Sequence, residues 1–118
     1  MKASLLFGAA AAFAGRAAAF YGQMAAGDYI YLDGGSEQYV YLTDYNTGST
    51  YSGWFSPGFN GCVDIECGIE FYETSAGSYN FGAKVWRTDD GCHNIDFEGA
   101  LDAGHGYCCG SLPCDFTA

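Results

Sequence analysis

Tyr29-Ile30-Tyr31-Leu32, closed by Asp33-Gly34-Gly35, and Tyr39-Val40-Tyr41-Leu42-Thr43, closed by Asn46-Thr47-Gly48, decide the fold class. In both stretches tyrosine alternates with an aliphatic residue. Successive side chains of an extended strand point to opposite faces. One face should therefore carry tyrosines, and the other Ile30, Leu32, Val40 and Leu42. That is the pattern of a sheet with one buried and one wet side.

Outward from these stretches the pattern repeats. Tyr51-Ser52-Gly53-Trp54-Phe55 stops at Pro57-Gly58, and Ile69-Glu70-Phe71-Tyr72 stops near Gly77. Gly82 to Arg87 ends at Asp89-Asp90-Gly91, Asn94 to Phe97 follows, and a short run surrounds Gly106-Tyr107-Cys108. Short strands divided by regular turn signals make a sandwich or a barrel. No window keeps a helical period, apart from one short helical turn expected between Glu98 and Ala103. The expected fold is all-β, a small disulfide-stapled β-sandwich.

The N-terminus reads as a leader. Lys2 supplies a positive start, Ala3 to Ala14 an apolar run, and Ala17-Ala18-Ala19 the small residues a signal peptidase needs. The expected organisation is a signal peptide over 1–19 and a single secreted β domain over 20–118. Its removal takes Lys2 and Arg16, leaving Lys84 and Arg87 against fourteen acidic residues, a net charge of −12. Phosphate backbones are bound by clustered Lys and Arg, and anionic membranes by polybasic segments. Neither tool is present, so nucleic acid is excluded as a partner and membrane insertion is not expected. Ten Tyr, nine Phe and two Trp argue for a folded chain, since disordered chains are poor in aromatics.

Six cysteines, Cys62, Cys67, Cys92, Cys108, Cys109 and Cys114, all lie in the second half. Zinc and thioredoxin-type sites announce themselves by CxxC pairs, and none occurs here. An even set behind a leader reads as structural disulfides of an extracellular protein. The pairing is open, except that adjacent Cys108 and Cys109 should reach different partners because their side chains diverge.

Other chemistry is thinner. Asp102, His105 and Ser111 have triad composition but no nucleophile-elbow context. Asp64 with Glu66, and Asp96 with Glu98, would share a strand face as carboxylate pairs of a hydrolase. Asp89 and Asp90, before Gly91, are the calcium candidates, and also an ordinary turn. No catalytic residue and no cofactor is assigned. Exposed tyrosines and Trp54 or Trp86 offer platforms for sugar rings, or simply cover a sheet and its core.

Tyr45 followed by Tyr51-Ser52-Gly53 resembles a βγ-crystallin Greek-key motif, in which an aromatic is followed after five residues by an aromatic-x-Gly turn. The segment from Phe71 to Gly82 departs from that pattern. With its leader and cysteines the chain also resembles the small cysteine-rich effectors of filamentous fungi, some of which have crystallin-like or killer-toxin-like folds. The resemblance implies a Greek-key sandwich and a secreted, non-enzymatic effector or toxin-like protein. Such a protein acts in the extracellular space, the apoplast of a plant included, as a virulence factor toward a host or against competing microbes. Its partner would be a host or microbial protein or a surface glycan. The alternatives are a secreted carbohydrate-binding protein or carboxylate-based hydrolase, and a structural protein of the cell wall.

Overall fold

Turn residues fall where the alternating runs end, and the runs between them pair in chain order. This computed structural model describes residues 19–75, 77 and 80–118; of the leader expected over 1–19, only Ala19 lies among them. The strands are β1 (Tyr21–Leu32), β2 (Gly35–Asp44), β3 (Thr50–Phe55), β4 (Cys67–Glu73), β5 (Asn80–Arg87), β6 (Cys92–Asp96), β7 (His105–Cys109) and β8 (Cys114–Thr117). Short 3-10 turns cover Phe59–Gly61 and Ala100–Asp102, the second inside the expected helical turn.

All eight strands belong to one antiparallel sheet of order β7-β6-β5-β4-β3-β2-β1-β8. The all-β, disulfide-stapled expectation holds, and the described strands form one sheet that rolls until its ends nearly meet. β1 to β7 pair as a meander, and the return of a fourth strand beside a first that defines a Greek key is not among these pairings. The rolled ends, β7 and β8, are drawn together at Gly106, where an added Cβ would meet the Thr117 carbonyl and the Phe116 ring.

Alternation places Val40, Leu42, Phe71, Phe81, Val85 and Ile95 inside, all buried. β2 matches its sequence pattern, with Tyr39 and Tyr41 outside and stacked on each other at 6.1 Å. β1 does not. A register shift between Ala26 and Tyr29 puts one extra residue into β1, which reverses the facing of everything after it. Ile30 and Leu32 thereby turn out to solvent. Tyr29 comes to lie opposite the buried Gln38, and its hydroxyl accepts the Asn60 N–H at 2.6 Å.

The disulfides are Cys62–Cys67, Cys92–Cys109 and Cys108–Cys114. Cys108 is buried and Cys109 exposed, so the adjacent pair does diverge to different partners. Cys92–Cys109 joins opposed residues of β6 and β7. Cys108–Cys114 links β7 to β8 across the seam where the rolled sheet closes.

Loop entropy ranks these bonds. With sequence separations of 17, 6 and 5, paired alanine replacement of Cys92 and Cys109 should cost about 3 kcal/mol, and of either other pair about 2 kcal/mol. Urea unfolding of the three double variants measures that order, and equal losses would contradict it.

Candidate functional site

Buried rings and aliphatic side chains pack the described interior. Three adjacent strands, β3, β4 and β5, shape a groove of about 520 Å³ on the sheet's outer face. The registers explain its lining. Trp54 stands opposite Glu70, Glu70 opposite Gly82, and Gly68 opposite Lys84. Trp54 is 51% exposed, because inward positions of β3 are taken by Tyr51, Gly53 and Phe55. Tyr72 follows on the same face of β4, its hydroxyl 3.4 Å from Glu70 Oε1.

Glu98 reaches the groove from beyond β6. Asp96 Oδ1 accepts the Glu98 N–H at 2.9 Å, and Glu98 takes a left-handed backbone with φ 54°. That bend brings Glu98 Oε2 to 3.5 Å from Lys84 Nζ. The result is an aromatic wall at Trp54 and Tyr72, a floor at Gly68 and Gly82, and a rim carrying Glu70, Lys84 and Glu98.

A second depression, about 580 Å³, follows the β7–β8 seam and is lined by Tyr21, His105, Tyr107 and Asp115, among others. Its groups are already engaged. Tyr45 donates to Asp115 Oδ1 at 2.8 Å, and this bond to the carboxylate raises the Tyr45 pKa. His105 stacks between Trp86 (5.5 Å) and Tyr107 (6.1 Å), with Nε2 2.8 Å from Asn94 Oδ1. Tyr45, in the β2–β3 turn, therefore reaches across to β8.

The other residues singled out by sequence do not assemble. His105 is held by Asn94, while Asp102 sits in the 3-10 turn and Ser111 in the β7–β8 connection. Asp64 lies in the loop closed by Cys62–Cys67, with φ 58°, and Glu66 is exposed beside it. Asp89 is exposed. Asp90 accepts the Thr88 hydroxyl and the Cys92 N–H, which hold its pKa down and organise the β5–β6 turn. Among the described residues no three His, Cys, Asp or Glu side chains gather as a metal site, and no helix is long and apolar enough to cross a membrane. Sequence reading missed Gly68, Gly82 and Lys84 as groove residues. No sequence signal marked the two glycines: that they stand inside strands and face solvent is seen only in the fold.

Comparison with protein-family models, curated proteins and solved structures returns no match.

His93 lies on the inner side of β6 against the Phe59 ring, centroids 4.9 Å apart, and opposite Arg87. Burial first, and the Arg87 charge second, lower its pKa from 6.5. His93 Nδ1 and Arg87 Nε are both buried without a hydrogen-bond partner among the described residues. A lowered folded-state pKa means the unfolded chain takes the proton first as pH falls. The contribution is whole above pH 6.5 and is lost as pH falls toward the lowered folded value. Thermal melts should therefore drop as pH falls from 7 to 5, and His93→Gln should flatten that slope. An equal slope in the variant would assign it to other groups.

Proposed function

We propose that this chain is a secreted, non-enzymatic binding protein of the effector or toxin-like kind. It acts outside the cell on a host or on competing microbes, and the Trp54–Tyr72 groove is its binding surface. The observation that carries the reading is the exposed aromatic wall of Trp54 and Tyr72 over a concave floor, on a scaffold whose interior is closed by packed rings. Three disulfides in so short a chain suit an oxidising, extracellular compartment. The leader over 1–19 is the proposed route to it, and the resemblance of Tyr45 to Gly53 to a crystallin-like motif belongs to the same proposal. Neither His93 nor His105 lines the groove, whereas two carboxylates, Glu70 and Glu98, do, so hydrolysis is the second reading that the test below separates from binding.

The purified protein, infiltrated into plant leaf tissue and added to microbial cultures, should produce a visible tissue response or arrest growth. Trp54→Ala should lose that effect at least about tenfold while keeping its melting temperature within a few degrees, since Trp54 is half-exposed. Full activity in Trp54→Ala would remove the groove from the function. Release of reducing sugar from a polysaccharide by the wild type, lost in Glu70→Gln or Glu98→Gln, would replace binding with hydrolysis.

A further inference from the structure

Gly68 and Gly82 have no structural reason to be glycine. At Gly22, Gly53 and Gly106 an added Cβ would run into a neighbouring strand's carbonyl, from Thr43, Glu70 and Thr117 respectively. At Gly58 the backbone is left-handed, with φ 91°. Gly68 and Gly82 share neither condition: their φ values are ordinary, and an added Cβ would meet nothing within 4 Å. Both sit inside strands, where glycine weakens the sheet and a β-branched residue would strengthen it. Glycine at an open strand position fits a site where a ligand approaches the backbone closely.

The register shows what shape of ligand. From the Trp54 ring on β3 the surface steps across Glu70 to bare backbone at Gly82, two strand spacings or about 10 Å away. Gly68 extends that bare floor diagonally on β4. An indole wall above a flat strip of backbone accepts a flat ring with apolar C–H bonds on its face, because those hydrogens meet the negative π-face of the aromatic. The rim suits hydroxyls on the ring's edge: Glu70 and Glu98 have acceptor capacity left beyond the Tyr72 hydroxyl and Lys84 that they already bond, and the Lys84 ammonium has further N–H donors. The volume lies within the range of small-ligand sites.

Other ligand classes fit worse. A peptide strand needs a free sheet edge, but β3, β4 and β5 are each paired on both sides. An amphipathic helix needs an apolar groove, and this rim is charged. A phosphorylated or sulfated ligand would meet Glu70 and Glu98 with one lysine, already paired to Glu98.

We propose that the groove binds a neutral polysaccharide, with one pyranose ring stacked on Trp54 and the next residues of the chain running over the backbone of Gly68 and Gly82. This deepens, and rests on, the reading of the groove as the binding surface. The full disulfide-bonded protein is to be tested by co-sedimentation with chitin, cellulose, β-1,3-glucan and xylan, and with polygalacturonate as an anionic polymer. Retention on at least one neutral polymer is expected, reduced about tenfold or more by Trp54→Ala. Gly82→Val should be equally defective yet melt at or above the wild-type temperature, because valine favours the strand while its methyl groups fill the floor. Tyr107→Ser, on β7 and outside the groove lining, should bind normally.

Retention on none of the neutral polymers, retention only on polygalacturonate, or retention unchanged in both groove variants overturns the inference. Loss of the tissue or growth response in Trp54→Ala, with no neutral polymer retained, would overturn the glycan alone and leave the groove as the binding surface. Persistence of both response and retention in Trp54→Ala would overturn both.

Discussion

Phe20, Phe97, Phe81 and Phe71 stand in line through the interior, their ring centroids 5.1, 5.8 and 5.4 Å apart in succession. Phe116 closes one end, 5.0 Å from Phe20. These rings come from just before β1, from β8 and from three places between, so a single packed column ties together segments distant in sequence. Each such contact contributes about 1 kcal/mol beyond the area it buries. Eight strands leave an interior just wide enough for side chains to fill, and the column fills it. Backbone bonds between Phe20 and Ala118 secure the same end.

A filled interior divides the labour between faces. Inward positions of β3, β4 and β5 are spent on packing, at Tyr51, Phe55, Ile69, Phe71, Phe81 and Ala83. The outward positions of the same strands are free to carry Trp54, Glu70, Tyr72 and Lys84. Because each outward residue is anchored by buried neighbours one position away, the groove is positioned by the core. Gly53 adds to this from within, where its missing side chain lets β3 and β4 lie close beneath Trp54 and Glu70.

Much of the architecture was legible in the sequence. The alternation at Tyr39 to Leu42 names its inner and outer faces correctly, and the adjacency of Cys108 and Cys109 implies their divergence. The facing of Ile30 and Leu32 was not legible, because one extra residue near Gly27 inverts it and nothing in the local pattern marks a bulge. Disulfide partners depend on which strands lie side by side, which spacing alone does not reveal. β8 escaped notice because Cys114-Asp115-Phe116-Thr117 is too short to display a period. The groove was the least visible part: in a chain of eighteen glycines, two that stand in strands look like the others until their empty surroundings are seen.

The basic residues have a consequence of their own. From residue 20 onward, only Lys84 and Arg87 offer a trypsin-like protease a place to cut, and both lie in β5. That strand is hydrogen-bonded to β4 on one side and β6 on the other. A protease must draw its substrate out as an extended, unpaired segment, and drawing out β5 means opening the middle of the sheet. Among the described residues such enzymes find no cleavable loop, so cutting there by a trypsin-like protease is governed by global unfolding rather than by local fraying.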